Sequence, residues 1–193
     1  MGVEKKYHHE NLKQELIEAG IAIIGEEGER QLSLRKVAAR CNVSQAAPYT
    51  HFQSKEDLIG GIQNYITDQF LTILHASQEG VEPYSDEAIF RLGEAYMQFF
   101  IEHPYYFRFM FQTPYMKIHI SLEQSDDNFP PYEILRKLVL GNLERRKVPK
   151  ESILHMLINI WATVQGITML ATQENVLYEG NWKEEVGNIL RNQ

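Results

Sequence analysis

With 193 residues, the chain is long enough for one domain or two small ones sharing a core. Its 44% hydrophobic and 23% charged residues exclude the disordered and collagen-like classes, and a single cysteine, Cys41, excludes an internal disulfide framework and a cysteine-rich zinc module. A net charge of -7 argues against a chain coated in basic residues for indiscriminate nucleic-acid binding, but the acid excess is unevenly placed: residues 1–65 carry 8 Lys+Arg against 9 Asp+Glu, and residues 66–193 carry 11 against 17. Met1 to Lys13 is polar and lacks the apolar region of a secretory signal, so the expected setting is the reducing cytoplasm.

Helical spacing begins with Leu12, Leu16, Ala19 and Ile23, and Gly28 stands where a helix would end. Ser33 is placed to cap a second helix carrying Leu34, Val37, Ala38 and Cys41 on one face; there Cys41 reads as a buried small hydrophobe rather than a redox sensor. Asn42 tolerates the left-handed backbone of a tight turn, Val43 points back as an anchor, and Ser44 offers the cap of a brief third helix, with Pro48 about four residues in. Ser54 and Asp57 resemble a capping box, and a long fourth helix follows through Leu58, Ile62, Ile66 and Phe70. The stretch from Gln78 to Pro83 reads as a linker. Further helices are expected near Asp86 to Glu102, Tyr105 to Phe111, Pro131 to Arg146, Glu151 to Thr172 and Trp182 to Arg191, with a loop from Thr113 to Phe129. No useful alternating run appears, so the fold class is all-α.

Two short helices joined by a tight turn are the helix-turn-helix plan, whose second helix enters the major groove of DNA. The exposed side of that second helix offers Gln45, Ala46, Ala47, Tyr49 and Thr50, with Ser44 at its start, and such groups can meet base edges and thymine methyls. Around them Ser33, Arg35, Lys36, His51 and Lys55 supply donors suited to phosphate oxygens. From Gln31 to Lys55 there is no acidic residue, as expected of a surface that faces a polyanion.

The run LRKVAARCNVSQAAPYTHFQSKEDLI, Leu34 to Ile59, preceded by Tyr7-His8-His9 and a first helix, resembles the TetR-type transcriptional regulators. The resemblance implies an N-terminal three-helix DNA-binding domain, residues 1–56, joined by a long helix to a C-terminal helical ligand-binding and dimerisation domain, residues 57–193. By position it assigns Tyr49, His51 and Lys55 to the DNA backbone, and Gln45, Ala46 and Thr50 to the groove. Asn42 departs from the glycine usual in the turn and Pro48 from a common leucine. WATVQGI, Trp161 to Ile167, resembles the Trp-x-x-x-His-Gly element of one C-terminal subclass, with Gln165 where histidine is usual. The implied partners are a near-palindromic duplex operator, a second copy of the chain and an unidentified small-molecule effector.

In the second domain Tyr96, Phe99, Phe100, Phe107, Met110, Phe111, Tyr115, Met116, Trp161 and Gln165 are candidates to line an apolar ligand site, although most such aromatics must be core. Ala162 and Gly166 lie four apart on one helix face; with Met169 and Trp182 they are the candidate dimer contact. Ser152 to Gln173 has no charged residue and spans about a bilayer's length, but His155, Asn159, Thr163, Gln165 and Thr168 interrupt it, so a buried helix is expected and no membrane. Neither catalytic motifs nor ligand spacing around His8 and His9 support an enzyme, a metal site or a cofactor. The competing expectation is a helical adaptor that binds protein and no longer binds DNA.

Overall fold

The computed structural model describes residues 12–111 and 116–191, and among them there is no β-strand. The helices are α1 (Leu12–Glu27), α2 (Leu34–Arg40), α3 (Lys55–Ser77), α4 (Asp86–Glu102), α5 (Pro104–Phe111), α6 (Pro130–Arg145), α7 (Lys150–Thr172) and α8 (Trp182–Arg191). Single 3₁₀ turns lie at Glu29–Gln31 and Ala47–Thr50. The chain forms two compact units that divide within α3, one ending at Tyr65 and the other starting at Ile66.

In the first unit local chemistry sets the helix ends. Gly28, at φ 88°, takes the chain out of α1 with a backbone turn that side-chain-bearing residues rarely adopt. The Ser33 hydroxyl accepts the Lys36 N–H at 3.2 Å and caps α2. At the far end Asn42 is left-handed, φ 55°, and the Val43 N–H reaches the Ala38 carbonyl while the Asn42 N–H reaches that of Ala39, a Schellman termination. Ser54 caps α3 by accepting the Asp57 N–H at 3.2 Å, and the Asp57 carboxylate accepts the Gln53 N–H at 2.8 Å, so the box closes one residue earlier than the standard pattern. Leu16, Ile23, Leu34, Val37, Phe52, Leu58 and Ile62 fill the core, each contributing roughly 1.5–3 kcal/mol by leaving water. Gly20 lets α1 meet α3, since a Cβ there would lie 2.9 Å from Ile62 Cδ1.

The expected third helix from Ser44 does not form. Its place is taken by an irregular turn and the 3₁₀ turn Ala47–Thr50, in which Ala47, Tyr49 and His51 N–H groups reach back three residues. Pro48 has no N–H to give the Ser44 carbonyl, and its ring crowds that carbonyl, so an α-helical turn cannot close here. Pro48 itself is buried in the hook.

In the second unit α4 is the central helix, packed against α5, α6, α7 and α8. Loop residues 116–129 are pinned to α6: Asn128 exchanges hydrogen bonds with the His119 backbone at 3.0 and 2.9 Å, and the buried Arg136 donates to Glu133 at 2.7 Å and to the Leu122 carbonyl at 2.8 Å. The helix α7 is long and apolar enough to cross a membrane by length and composition, yet Ile153, Leu157, Trp161, Val164, Thr168 and Thr172 are buried. Thr168 and Thr172 satisfy their hydroxyls on α7 carbonyls four residues back, at 2.7 and 2.8 Å.

Candidate nucleic-acid interface

The hook formed by α2, the turn and the 3₁₀ segment exposes Ser33, Arg35, Ser44, Gln45, Ala46, Tyr49, Thr50 and His51, whereas Lys36, Ala47 and Lys55 are half-buried. Pro48 and Phe52 turn inward from the same short stretch, which fixes the outward side of Tyr49, Thr50 and His51. Tyr49 is 60% exposed, unusual for a ring of its size with no functional contact. The Thr50 hydroxyl donates to the Ala47 carbonyl at 2.7 Å, so its lone pairs rather than its proton face outward.

The electrostatics differ from the linear pattern. The acid-free run Gln31 to Lys55 is met in space by two acids of α1: Arg40 donates to both carboxylate oxygens of Glu26, at 2.8 and 2.6 Å, and Lys36 pairs with Glu27. The Arg40 hydrogen bonds hold the Glu26 carboxyl below its ordinary value, and Glu26 in turn raises Arg40. The Lys55 ammonium donates to the Glu29 carbonyl at 3.0 Å, tying the start of α3 to the loop after α1 and leaving two of its three donors for other partners. Arg35 is exposed and has no ion-pair partner among the described residues. Sequence inspection misses the Glu26 and Glu27 contacts because those acids precede the run; their position in the last turn of α1 is the available signal.

Cys41 is half-buried rather than buried. Its thiol donates to the Glu15 carbonyl at 3.4 Å, and burial pushes its pKa up, which lowers its thiolate fraction. Tyr7, His8 and His9 lie outside the described residues, as does Tyr115.

The remaining candidates lie in the second unit. Tyr96, Phe99, Phe100, Phe107, Met110 and Trp161 are buried, with Phe111, Met116 and Gln165 half-buried. The rings of Tyr96, Phe100, Phe111 and Trp161 pack on one another at centroid separations of 5.0–6.2 Å, and the space beside Tyr96 and Trp161 is about 10 Å³. The Gln165 amide donates to the Tyr96 hydroxyl at 2.8 Å, while burial moves that phenol well above its ordinary pKa. On α7, Ala162 and Met169 are exposed and Gly166 half-buried; a Cβ added at Gly166 would touch nothing within 4 Å. Trp182 is half-buried against Tyr178, ring centroids 4.4 Å apart.

A family model described as bacterial regulatory proteins, tetR family, matches residues 16–62, and one described as tetracyclin repressor-like, C-terminal domain, matches residues 89–186. The chain is 32% identical over 69 residues to the HTH-type transcriptional regulator YuxN of Bacillus subtilis (strain 168); the match covers 35% of this chain and 24% of that protein, so the chain spans about a quarter of that relative's length. Among solved structures, a protein of unknown function from Rhodococcus sp. RHA1 is similar at TM-score 0.75 and 20% identity, covering 98% of this chain and 96% of that one. A bacterial regulatory protein in the tetR family from Rhodococcus RHA1 is similar at TM-score 0.68 and 14% identity, covering 94% of each chain. The TetR family transcriptional regulator PfmR from Thermus thermophilus is similar at TM-score 0.64 and 18% identity, covering 91% of this chain and 94% of that one. At these identities the solved structures speak to the fold.

Proposed function

The chain belongs to the TetR family of bacterial regulatory proteins and is a transcriptional regulator, and on that premise we propose that it works as a cytoplasmic homodimeric repressor, released from a near-palindromic operator by a small, largely apolar effector. The observation that carries this reading is the hook itself: Pro48 and Phe52 anchor it from within while Gln45, Tyr49, Thr50 and His51 face outward beside Arg35. Ser33, Arg35, Lys36, Tyr49, His51 and Lys55 contact phosphates in this reading, and Ser44, Gln45, Ala46, Ala47 and Thr50 meet the groove.

The second copy docks on α7. Ile158, Ala162, Met169 and Leu170 form an uncovered apolar stripe around Gly166, where absence of a side chain permits close backbone approach. A two-fold dimer then places two hooks on successive major-groove faces, about 34 Å apart. An effector shifts this arrangement only through its differential affinity for the DNA-competent and released dimers.

Selection of bound sequences from random duplex DNA by the full chain tests the reading. The expected result is an inverted repeat whose half-sites lie about one helical turn apart. Absence of any enriched duplex would overturn it and favour a protein-binding adaptor.

A further inference from the structure

A second cavity, of about 280 Å³, lies in the second unit between α4, α6, α7 and α8, away from the ring cluster. Its walls are apolar, with Phe90, Leu135, Ile160 and Leu190 among them. Leu190 reaches this wall because Gly93 leaves room: a Cβ on Gly93 would lie 2.8 Å from Leu190 Cδ1. One end is polar, formed by Asn142, Asp86 and Arg146.

Asn142 is 3% exposed, and both of its amide protons are committed, to the Tyr84 carbonyl at 3.0 Å and to Asp86 Oδ1 at 2.8 Å. Those two acceptors fix which way the amide points. Its Oδ1 is buried with no hydrogen-bond partner. A buried acceptor left without a donor is costly, so a residue that lines a cavity and keeps one is suited to a bound molecule that supplies the donor. Arg146 lies 3.7 Å from Asp86, which offsets the carboxylate at the same end. An anionic ligand would meet Asp86 and the orphaned Asn142 oxygen together, so the charge pattern favours a neutral molecule.

We infer that this cavity binds a neutral, apolar, bicyclic-sized molecule carrying one O–H or N–H group, donated to Asn142 Oδ1. The size follows from volume: about twice the roughly 150 Å³ that holds a benzene ring. That this molecule also acts as the effector rests on the reading given under Proposed function; its binding here does not.

The probes are 2-naphthol, naphthalene and 2-naphthoate, titrated calorimetrically into the full chain. Saturable binding of 2-naphthol, roughly fivefold or more tighter than naphthalene and tighter still than 2-naphthoate, is expected from one added net hydrogen bond. Ile160→Trp, which fills the cavity, should abolish binding at an unchanged far-ultraviolet circular dichroism spectrum. Asn142→Leu should bind naphthalene and 2-naphthol equally; if that variant fails to fold, the Ile160→Trp result and the three-probe ranking on the native chain decide. Equal affinity of the native chain for 2-naphthol and naphthalene, no saturable binding of 2-naphthol, or unimpaired binding by Ile160→Trp would overturn the site. Binding to the cavity with no change in affinity for a selected duplex would overturn its effector role alone, and a chain that binds 2-naphthol but no duplex would overturn the regulatory reading while leaving the site.

Discussion

Arg40 grips the Glu26 carboxylate with two guanidinium nitrogens, at 2.8 and 2.6 Å, and so the last turn of α1 neutralises a cation at the end of α2. Two acids absent from the basic run in sequence are therefore adjacent to it in space, and the positive field offered to DNA is narrower than the composition of residues 31–55 suggests. Arg35 carries the exposed, unpaired charge on that face among the described residues.

Glu26→Gln should release Arg40 to phosphate. Non-specific duplex affinity should rise, and the slope of log K against log salt should steepen by up to about 0.9, one added phosphate contact. Fluorescence anisotropy with an unrelated duplex reads both. The same pair has an acid limb: because Arg40 lowers the Glu26 pKa, the pair's contribution to stability is fully present above the ordinary carboxylate value and is lost as pH falls through the lowered one.

Gly61 and Phe52 are in tight register, since a Cβ on Gly61 would stand 2.7 Å from the Phe52 ring. Gly61→Ala should push that ring out of place and destabilise the chain by about 1–3 kcal/mol, the usual range for overpacking. Thermal denaturation should then show a fall of about 2–4 °C per kcal/mol for a chain of this size. An unchanged melting temperature would mean Phe52 repacks freely.

Pro48→Leu restores an N–H four residues after the Ser44 carbonyl while keeping an apolar side chain inside the hook. The 3₁₀ turn should lengthen into a regular helical turn and re-aim Gln45 and Thr50. Selection from random duplexes should return a changed consensus, whereas the non-specific salt slope should stay the same because no phosphate donor is lost.

Gly166→Leu adds side-chain volume that meets nothing within the chain, so the monomer should fold as before. If the α7 stripe is the two-fold contact, sedimentation velocity should show the dimer shifted to monomer. A dimer that persists at native strength would place the contact elsewhere.

Features governed by local chemistry were legible before the structure. The α4 and α8 bounds, the Ser33 cap and the left-handed Asn42 follow from periodicity and residues within a few positions of each helix end. The failure of the third helix was harder to read, because Pro48 is compatible with a helix's first turn and its buried ring settles the matter only once Phe52 closes beneath it. Pairing of Glu26 with Arg40 spans 14 residues and depends on how α1 crosses α2. The aromatic residues announced a core by their number, but periodicity could not say that Tyr96, Phe100, Phe111 and Trp161 would pack ring on ring while open volume gathered beside Asn142.

The most direct check on the hook as a DNA-binding element is a salt titration of full-chain binding to its selected duplex, alongside Arg35→Ala. The account predicts tight binding at low ionic strength, log K falling linearly with log salt by about 0.9 per phosphate contact, and a slope shallower by about that amount per lost contact in the variant. A native chain that binds no duplex at low salt, or whose binding is indifferent to salt, would contradict it.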